Sequence, residues 1–195
     1  MKRTQVGKDG VLKPLRKEHK AALNLIEQLD AAVVGLQFEG KTSIGRHLKQ
    51  IRCVIDFFLE RFSKHTELEE QIIFPYLASH IPKLGLVLPL LCSQHKELRK
   101  SIEDLELLIE LFSNNVSKID QAKTIQKIRE IGIYLIYLLR HHIEVEHTSI
   151  YKMFDSELRK DEKEQLGRRV KENLALTNGN GRKDINLSNK KGEKK

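Results

Sequence analysis

The sequence predicts an all-α fold, an up-down-up-down four-helix bundle followed by a disordered basic C-terminal tail. Apolar residues recur at steps of three and four along most of the chain, which is the period of amphipathic helices. No stretch shows sustained alternation of apolar and polar residues, and proline occurs only at positions 14, 75, 82 and 89. Four long helices with short connections favour packing as an antiparallel bundle.

The chain of 195 residues, 39% of them hydrophobic, is long enough for one domain with its own core. We assign residues 11–171 to this domain and residues 172–195 to the tail, because segment 177–195 has no aromatic and few apolar residues. No segment approaches the roughly 18 consecutive apolar residues of a membrane span, and the basic amino terminus lacks the apolar stretch of a secretory signal. We expect a soluble, cytoplasmic protein.

The net charge of +8 is concentrated at the two ends of the chain. Residues 168–195 contain nine Lys and Arg against three acidic residues, and residues 1–10 contain three against one, so the body is nearly neutral. A basic patch within a folded domain is the usual footprint of nucleic-acid recognition, whereas a basic tail alone is a weak signal. Nucleic acid is therefore an unlikely partner, and the tail is interpreted as solvated.

The first two helices are defined by proline, glycine and a polar connection. The first helix is predicted from Pro14, a favourable first-turn residue, to Val34, with Gly35 as its stop. The second helix begins after the polar segment 41–43 and extends toward Leu77. Pro75 is expected to kink or end it, because proline lacks the amide donor and clashes with the preceding turn.

The third and fourth helices cover most of the remaining chain. The third is predicted from Pro82 to Phe112, where the polar segment 113–115 breaks it. The fourth is predicted from Ser117 to Arg159. Each of the four helices has an apolar face of the width that packs into a bundle core.

Every one of these apolar faces also contains a histidine, and two of the histidines are followed by glutamate at the fourth position. Residues i and i+4 lie on one helix face, so each HxxxE pair directs an imidazole and a carboxylate at one point inside the bundle. Burial of an ionised glutamate without a partner costs several kcal/mol, and a pair of metal ions would compensate for it. The six candidate metal ligands are His19, His65, Glu69, His95, His142 and Glu146.

The same residues show an internal repeat. His19 precedes His65 by 46 residues and His95 precedes His142 by 47. Segments 65–79 and 142–156 share the histidine, the glutamates at +2 and +4, the isoleucine at +8 and an aromatic residue at +9. A twofold arrangement of this kind would place one set of ligands on each of two metals, with the carboxylates between them.

The segments KEHKAAL, HTELEEQIIFPYL, SQHKELR and HHIEVEHTSIY, in that order, resemble the hemerythrin-like HHE cation-binding family over residues 11–160. The resemblance implies a non-haem di-iron centre, oxo- or hydroxo-bridged, with the six candidate residues as ligands and the two glutamates as bridges. Imidazole and carboxylate without thiolate also suit manganese or zinc. The implied function is metal binding, with dioxygen, nitric oxide or the redox state as the signal that is bound or sensed.

One position departs from the oxygen-carrying hemerythrins, which have HxxxH on the third helix. Here the residue four after His95 is Arg99, which cannot bind a metal. The set of four histidines and two glutamates resembles instead the bacterial branch that includes the iron–sulfur-cluster repair proteins. We expect a small diatomic or anionic ligand at the metals. An enzyme-like role in peroxide or nitric-oxide handling, or in cluster repair, is the alternative.

Several polar residues near the candidate ligands are predicted to play secondary roles. A metal-bound histidine usually donates its other ring N–H to a carboxylate or carbonyl, and Glu18 and Glu67 are the candidates for this. The remaining histidines in the body are predicted to lie at the surface or to contact the ligands from outside. They are His47, His80, His141 and His147.

Overall fold

The computed structural model describes residues 10–113 and 118–187. This part of the chain is all-α and contains five long helical segments and no strand. A short 3-10 turn precedes the second segment, Lys41–Ser43, and another precedes the third, Pro82–Leu84. The segments, labelled here in chain order, are α1 (Lys13–Phe38), α2 (44–80), α3 (Val87–Ser113), α4 (118–157) and α5 (Lys160–Leu187).

Segments α2 and α4 are continuous helices that contain π-helical turns. In α2, α-helical stretches Ile44–Phe57, Ser63–Leu68 and Phe74–His80 are separated by π turns at Phe58–Phe62 and Glu69–Ile73. Segment α4 has one π turn, Glu146–Tyr151, between Lys118–Val145 and Lys152–Glu157. Such turns are rare and are frequently found at functional sites.

The first four segments run antiparallel to their neighbours, because contacts at two levels of each pair involve later residues of one helix and earlier residues of the other. Along α1 and α2, His19 meets His65 at one end and Gly35 meets His47 at the other. Further pairs join α2 to α3, α3 to α4, and α4 to α1. These pairs are Glu70 with His95, Arg99 with Thr66, Gln94 with His141, Glu97 with Tyr134, Arg140 with Glu27, and Arg16 with Asp155.

The apolar interior consists of two clusters with a polar layer between them. The first cluster includes Ile26, Ile55 and Leu105, and the second includes Leu15 and Leu91. Along each of α1 to α4, the candidate ligand positions fall where one cluster ends and the other begins. Within the described residues, no helix is both long and apolar enough to cross a membrane.

Segment α1 extends beyond the stop predicted at Gly35 and ends at Phe38. Gly35 is buried, and a Cβ added there would lie 2.2 Å from the nearest ring carbon of His47. The glycine is present because the α2 histidine packs against its backbone. His47 is consequently buried, which corrects its predicted position at the surface.

Pro75 does not end the second helix, because α2 continues to His80. The π turn Glu69–Ile73 immediately precedes this proline, so Pro75 lies in the first turn of the α-helical stretch Phe74–His80. A proline in the first turn costs no helical hydrogen bond. The third helix begins at Val87, after the turn that contains Pro82, and the predicted start of the fourth helix at Ser117 lies outside the described residues.

Segment α5 was not predicted, and it differs from the expected unstructured tail over residues 172–187. The chain leaves α4 at Leu158 with extended backbone and starts α5 at Lys160. Leu166 and Val170 are buried in the second apolar cluster, and the Tyr76 hydroxyl donates a hydrogen bond to the Glu162 carbonyl at 2.9 Å. Residues 188–195 of the predicted tail lie outside the described residues.

A matched pair of glycine substitutions tests the packing of α1 on α2. We expect Gly35→Ala to lower the free energy of unfolding by about 1–3 kcal/mol, because the added methyl overpacks against a buried ring. Gly45→Ala meets nothing within 4 Å and should be neutral or stabilising by up to about 1 kcal/mol, since alanine is the better helix former. Urea denaturation of both variants measures the difference, and equal stability would contradict the packing described.

Candidate metal centre

The six candidate ligands lie together in the polar layer, and at most 2% of each is exposed. Four helices contribute to this set, which we call the His/Glu cluster. It divides into two groups of four residues whose potential ligand atoms all lie within 4.8 Å of one another. Both groups contain both glutamates. The groups are His19, His65, Glu69 and Glu146, and Glu69, His95, His142 and Glu146.

The Nε2 atoms of the four histidines all face the interior of the cluster. The Nε2 atoms of His19 and His65 are 2.9 Å apart, and those of His95 and His142 are 3.1 Å apart. Two imidazole nitrogens at this distance cannot both carry a hydrogen. At least one nitrogen of each pair therefore presents a lone pair to the interior, as a metal-binding imidazole does.

Each buried carboxylate contacts one histidine from each group. Glu69 lies 3.2 Å from Nε2 of His65 and 3.5 Å from Nε2 of His95. Glu146 lies 3.1 Å from Nε2 of His142 and 3.0 Å from Nε2 of His19. The two carboxylates therefore span both halves of the cluster, as bridging ligands would.

The position of each glutamate along its helix allows its carboxylate to contact histidines of both groups. Each glutamate is four residues after a histidine of its own helix, and each is the first residue of a π turn. The pairs in question are His65 with Glu69 and His142 with Glu146, and they are equivalent in the internal repeat. The repeat that is visible in the sequence is thus also a repeat in backbone geometry.

The outer ring nitrogens of the four histidines are held by a second set of side chains. When Nε2 faces a cation, Nδ1 carries the hydrogen and donates it outward, which fixes the ring orientation. Carboxylate or amide oxygens accept from three of the rings, and a ring nitrogen and a hydroxyl face the fourth. The pairs are His65 with Glu18 (2.8 Å), His95 with Glu70 (2.9 Å), His142 with Gln94 (3.1 Å), and His19 with Tyr151 (3.2 Å) and His147 (3.3 Å).

These outer partners follow the same internal repeat. Glu18 and Gln94 each precede a cluster histidine and bond to the histidine of the next helix. Glu70 and His147 each follow a buried glutamate and contact the histidine on the first helix of the other repeat. Glu70 contacts His95 on α3, and His147 contacts His19 on α1. Each half of the cluster therefore has one histidine oriented by a carboxylate and one oriented by a neutral group.

The electrostatics of the cluster are strained without a cation. Oε2 of Glu69 and both oxygens of Glu146 are buried and accept no well-aligned hydrogen bond, although imidazole nitrogens lie 3.0–3.5 Å from them. Burial and the Glu146 carboxylate raise the pKa of Glu69, whereas the adjacent His142 and His19 rings outweigh burial and hold the pKa of Glu146 well below its usual range. Buried carboxylates without full hydrogen bonding are costly, so the residues present fit a bound metal pair.

The imidazoles respond to the same surroundings in opposite directions. Burial and the neighbouring His142 lower the pKa of His95 to about 4, so this ring is neutral and able to bind a metal at pH 7. Burial alone would lower the pKa of His65, but the Glu69 carboxylate and hydrogen bonds to Glu18 and Glu69 raise it to about 10. A metal at this position would displace that proton.

A family model for the hemerythrin HHE cation-binding domain matches residues 11–153, most of the chain. The chain belongs to this family. Comparisons with curated proteins and with solved structures gave no significant match. The matched range ends within α4, so α5 lies outside the part that defines the HHE domain.

Some outer residues of this HHE domain were predicted correctly and others were not. Glu18 accepts from His65 as predicted, but Glu67 is exposed and accepts a hydrogen bond from Gln71. Gln94 was not predicted, because a glutamine beside a histidine on an amphipathic helix carries no distinguishing signal. The contact of Tyr151 with His19 was likewise not predicted, although its place five residues after Glu146 in the second half of the repeat was an available indication.

Arg99 turns away from the His/Glu cluster of this HHE domain. Its guanidinium donates to Glu70 at 3.1 Å and to the Thr66 hydroxyl at 3.4 Å, and its side chain is 41% exposed. The same Glu70 oxygen accepts from His95. Arg99 therefore acts on the cluster through Glu70, and its charge is paired with that carboxylate.

Proposed function

We propose that the His/Glu cluster binds two iron ions, with all six residues as ligands and with Glu69 and Glu146 as bridges. The observation that carries this proposal is that two buried four-residue groups share both glutamates, and three of the four carboxylate oxygens accept no well-aligned hydrogen bond. Membership of a cation-binding family supports it. The antiparallel packing of α1 to α4 supports the up-down-up-down four-helix bundle as the scaffold, because such bundles build metal sites from facing helices.

The choice of iron rests on the donor set and the family. Imidazole nitrogen and carboxylate oxygen suit iron, manganese and zinc, and geometry and availability select among them. A single zinc ion needs only three or four of these donors, and a lone zinc would leave part of the buried cluster without a cation. Manganese or zinc in both positions is the alternative that metal analysis distinguishes.

The proposed role is to bind or sense dioxygen, nitric oxide or a change in redox state. Iron supplies reversible one-electron chemistry and affinity for small diatomic ligands. The chain contributes four oriented imidazoles, two carboxylates and an interior shielded from solvent. Rapid catalytic turnover of peroxide or nitric oxide would instead favour the enzyme-like alternative.

Metal analysis of protein purified in the presence of iron, together with its optical spectrum, tests the proposal. We expect two irons per chain and near-ultraviolet charge-transfer bands of an oxo-bridged pair. Substoichiometric zinc with no such bands would contradict it.

The outer hydrogen bonds should tune metal affinity. We expect Glu18→Gln to weaken metal binding about 10- to 100-fold, the usual effect of losing an outer partner of a metal-bound histidine. Glu67→Gln is the matched control, because Glu67 is exposed and contacts only Gln71 among the hydrogen bonds described. Competition with a chelator of known affinity measures both variants. Equal affinities would show that the Glu18 contact to His65 does not orient the ring.

A further inference from the structure

A cavity of about 110 Å³ lies between α2 and α3 and ends at the His/Glu cluster. Its walls are mainly aromatic and aliphatic, and His95 forms part of its lining. On the α2 side, the Phe62 ring stacks on His65 with ring centroids 5.0 Å apart. The cavity is therefore lined by His95 from one half of the cluster and by Phe62, which stacks on His65 from the other half. Its apolar lining is formed chiefly by Phe58, Phe62, Leu98 and Ile102.

Three polar side chains in the lining of this cavity, those of Ser63, Thr66 and Arg99, are already hydrogen-bonded. The Ser63 hydroxyl donates to the Leu59 carbonyl at 2.6 Å, and the Thr66 hydroxyl donates to the Ser63 carbonyl at 3.0 Å. Arg99 donates to Thr66 and Glu70. A buried water needs two to four polar partners, and an apolar cavity of comparable size, roughly 150 Å³, stays dry and binds xenon. The lining therefore favours an apolar guest.

The backbone beside the cavity breaks the internal repeat. Phe58 and Phe62 are the first and last residues of the earlier π turn in α2. The equivalent stretch of α4, residues 135–139, lies within the uninterrupted α-helix Lys118–Val145. The π turns at Glu69 and Glu146 are counterparts of each other in the repeat, whereas the π turn Phe58–Phe62 has no counterpart in α4. A π turn in one half alone, at the wall of the cavity, indicates a local adaptation at this position.

We infer that this cavity holds a small uncharged gas molecule, of the class of nitric oxide or dioxygen, and delivers it to the His95 side of the cluster. The inference rests on the proposed function, since it names the ligand class and the approach of the same site. An anion is disfavoured because the walls are mainly apolar, because the charge of Arg99 is paired with Glu70, and because a second carboxylate, Glu103, also lines the cavity.

Xenon binding tests the cavity without any dependence on metal. We expect xenon to bind to both the metal-free and the iron-loaded chain, as measured by ¹²⁹Xe NMR, and to be lost in Ile102→Phe, which fills the cavity. Leu107→Phe is the control on the same helix, because Leu107 is 55% exposed. Absence of xenon binding to the wild-type chain would overturn the inference even if Ile102→Phe failed to fold.

Nitric oxide binding to the reduced, iron-loaded chain tests delivery. We expect Ile102→Phe to retain two irons and to slow nitric oxide association by about tenfold or more, because close packing closes the route. Leu107→Phe should bind nitric oxide at the wild-type rate. An unchanged rate in Ile102→Phe, or slowed entry of azide alone, would overturn the inference. Loss of iron from the wild-type chain would instead count against the proposed function.

Discussion

Replacing Glu69 or Glu146 by alanine should reduce the iron content from two ions per chain to one or none. Each carboxylate contacts a histidine of both groups, so its loss removes a donor from both proposed metal positions. Other substitutions within the cluster would affect one position. Metal analysis after purification with iron present measures the effect, and circular dichroism confirms that the variants remain helical.

Two glutamates serve as matched controls for this experiment. Glu67 and Glu144 each lie two residues before a buried glutamate on the same helix, and both are exposed. Glu67→Ala and Glu144→Ala should retain wild-type iron. If all four variants contained the same amount of iron, the assignment of Glu69 and Glu146 as bridges would be wrong.

Removal of the metals should lower the melting temperature by roughly 10 °C. Binding to the native state alone stabilises it by about 4 kcal/mol when the ligand is present at 1,000 times its dissociation constant. For a domain of this size, each kcal/mol shifts the melting temperature by about 2–4 °C. Differential scanning calorimetry before and after chelation, with metal removal verified, measures the change.

A double variant separates this effect from any action of the chelator on the protein. The chain with both Glu69→Ala and Glu146→Ala should melt at the same temperature with or without chelator, because it has little metal to lose. Adding iron back to the stripped wild-type chain should restore its melting temperature. An unchanged melting temperature of the stripped wild-type chain would favour a buried polar network that is stable without metal.

The sequence predicted the six residues of the cluster because helical geometry makes i, i+4 pairs visible. Recognition of two pairs, His65 with Glu69 and His142 with Glu146, required only the helical period and a reason for charged residues to lie on a buried face. The number and order of the first four helices followed from the same periodicity. Whether these residues bind metal remains a proposal, but the structure does bring them together.

Features that depend on contacts between helices could not be read from periodicity. A glycine after an apolar helical stretch is typical of a helix C-terminus. Only the ring of His47 packed against Gly35 explains why a glycine occurs inside the helix instead. The π turns were not predicted, and those at the two glutamates shift the buried face beyond them by about one residue. Ile73, Ile150 and Phe154 are buried, whereas their neighbours Ile72, Ser149 and Met153 are only partly buried. Segment α5 was missed because the residues that are buried within its described part 160–175, Leu166 and Val170, lie in a polar surrounding sequence.

The polar layer between the two apolar clusters has a consequence for cooperativity. Residues on either side of it belong to separate hydrophobic units, and separate units can open independently with different free energies. In the stripped chain, amide hydrogens of the two ends should therefore exchange as two populations. Metals held by all four helices at the boundary would join those units, so that the loaded chain exchanges its most protected amides only through global unfolding.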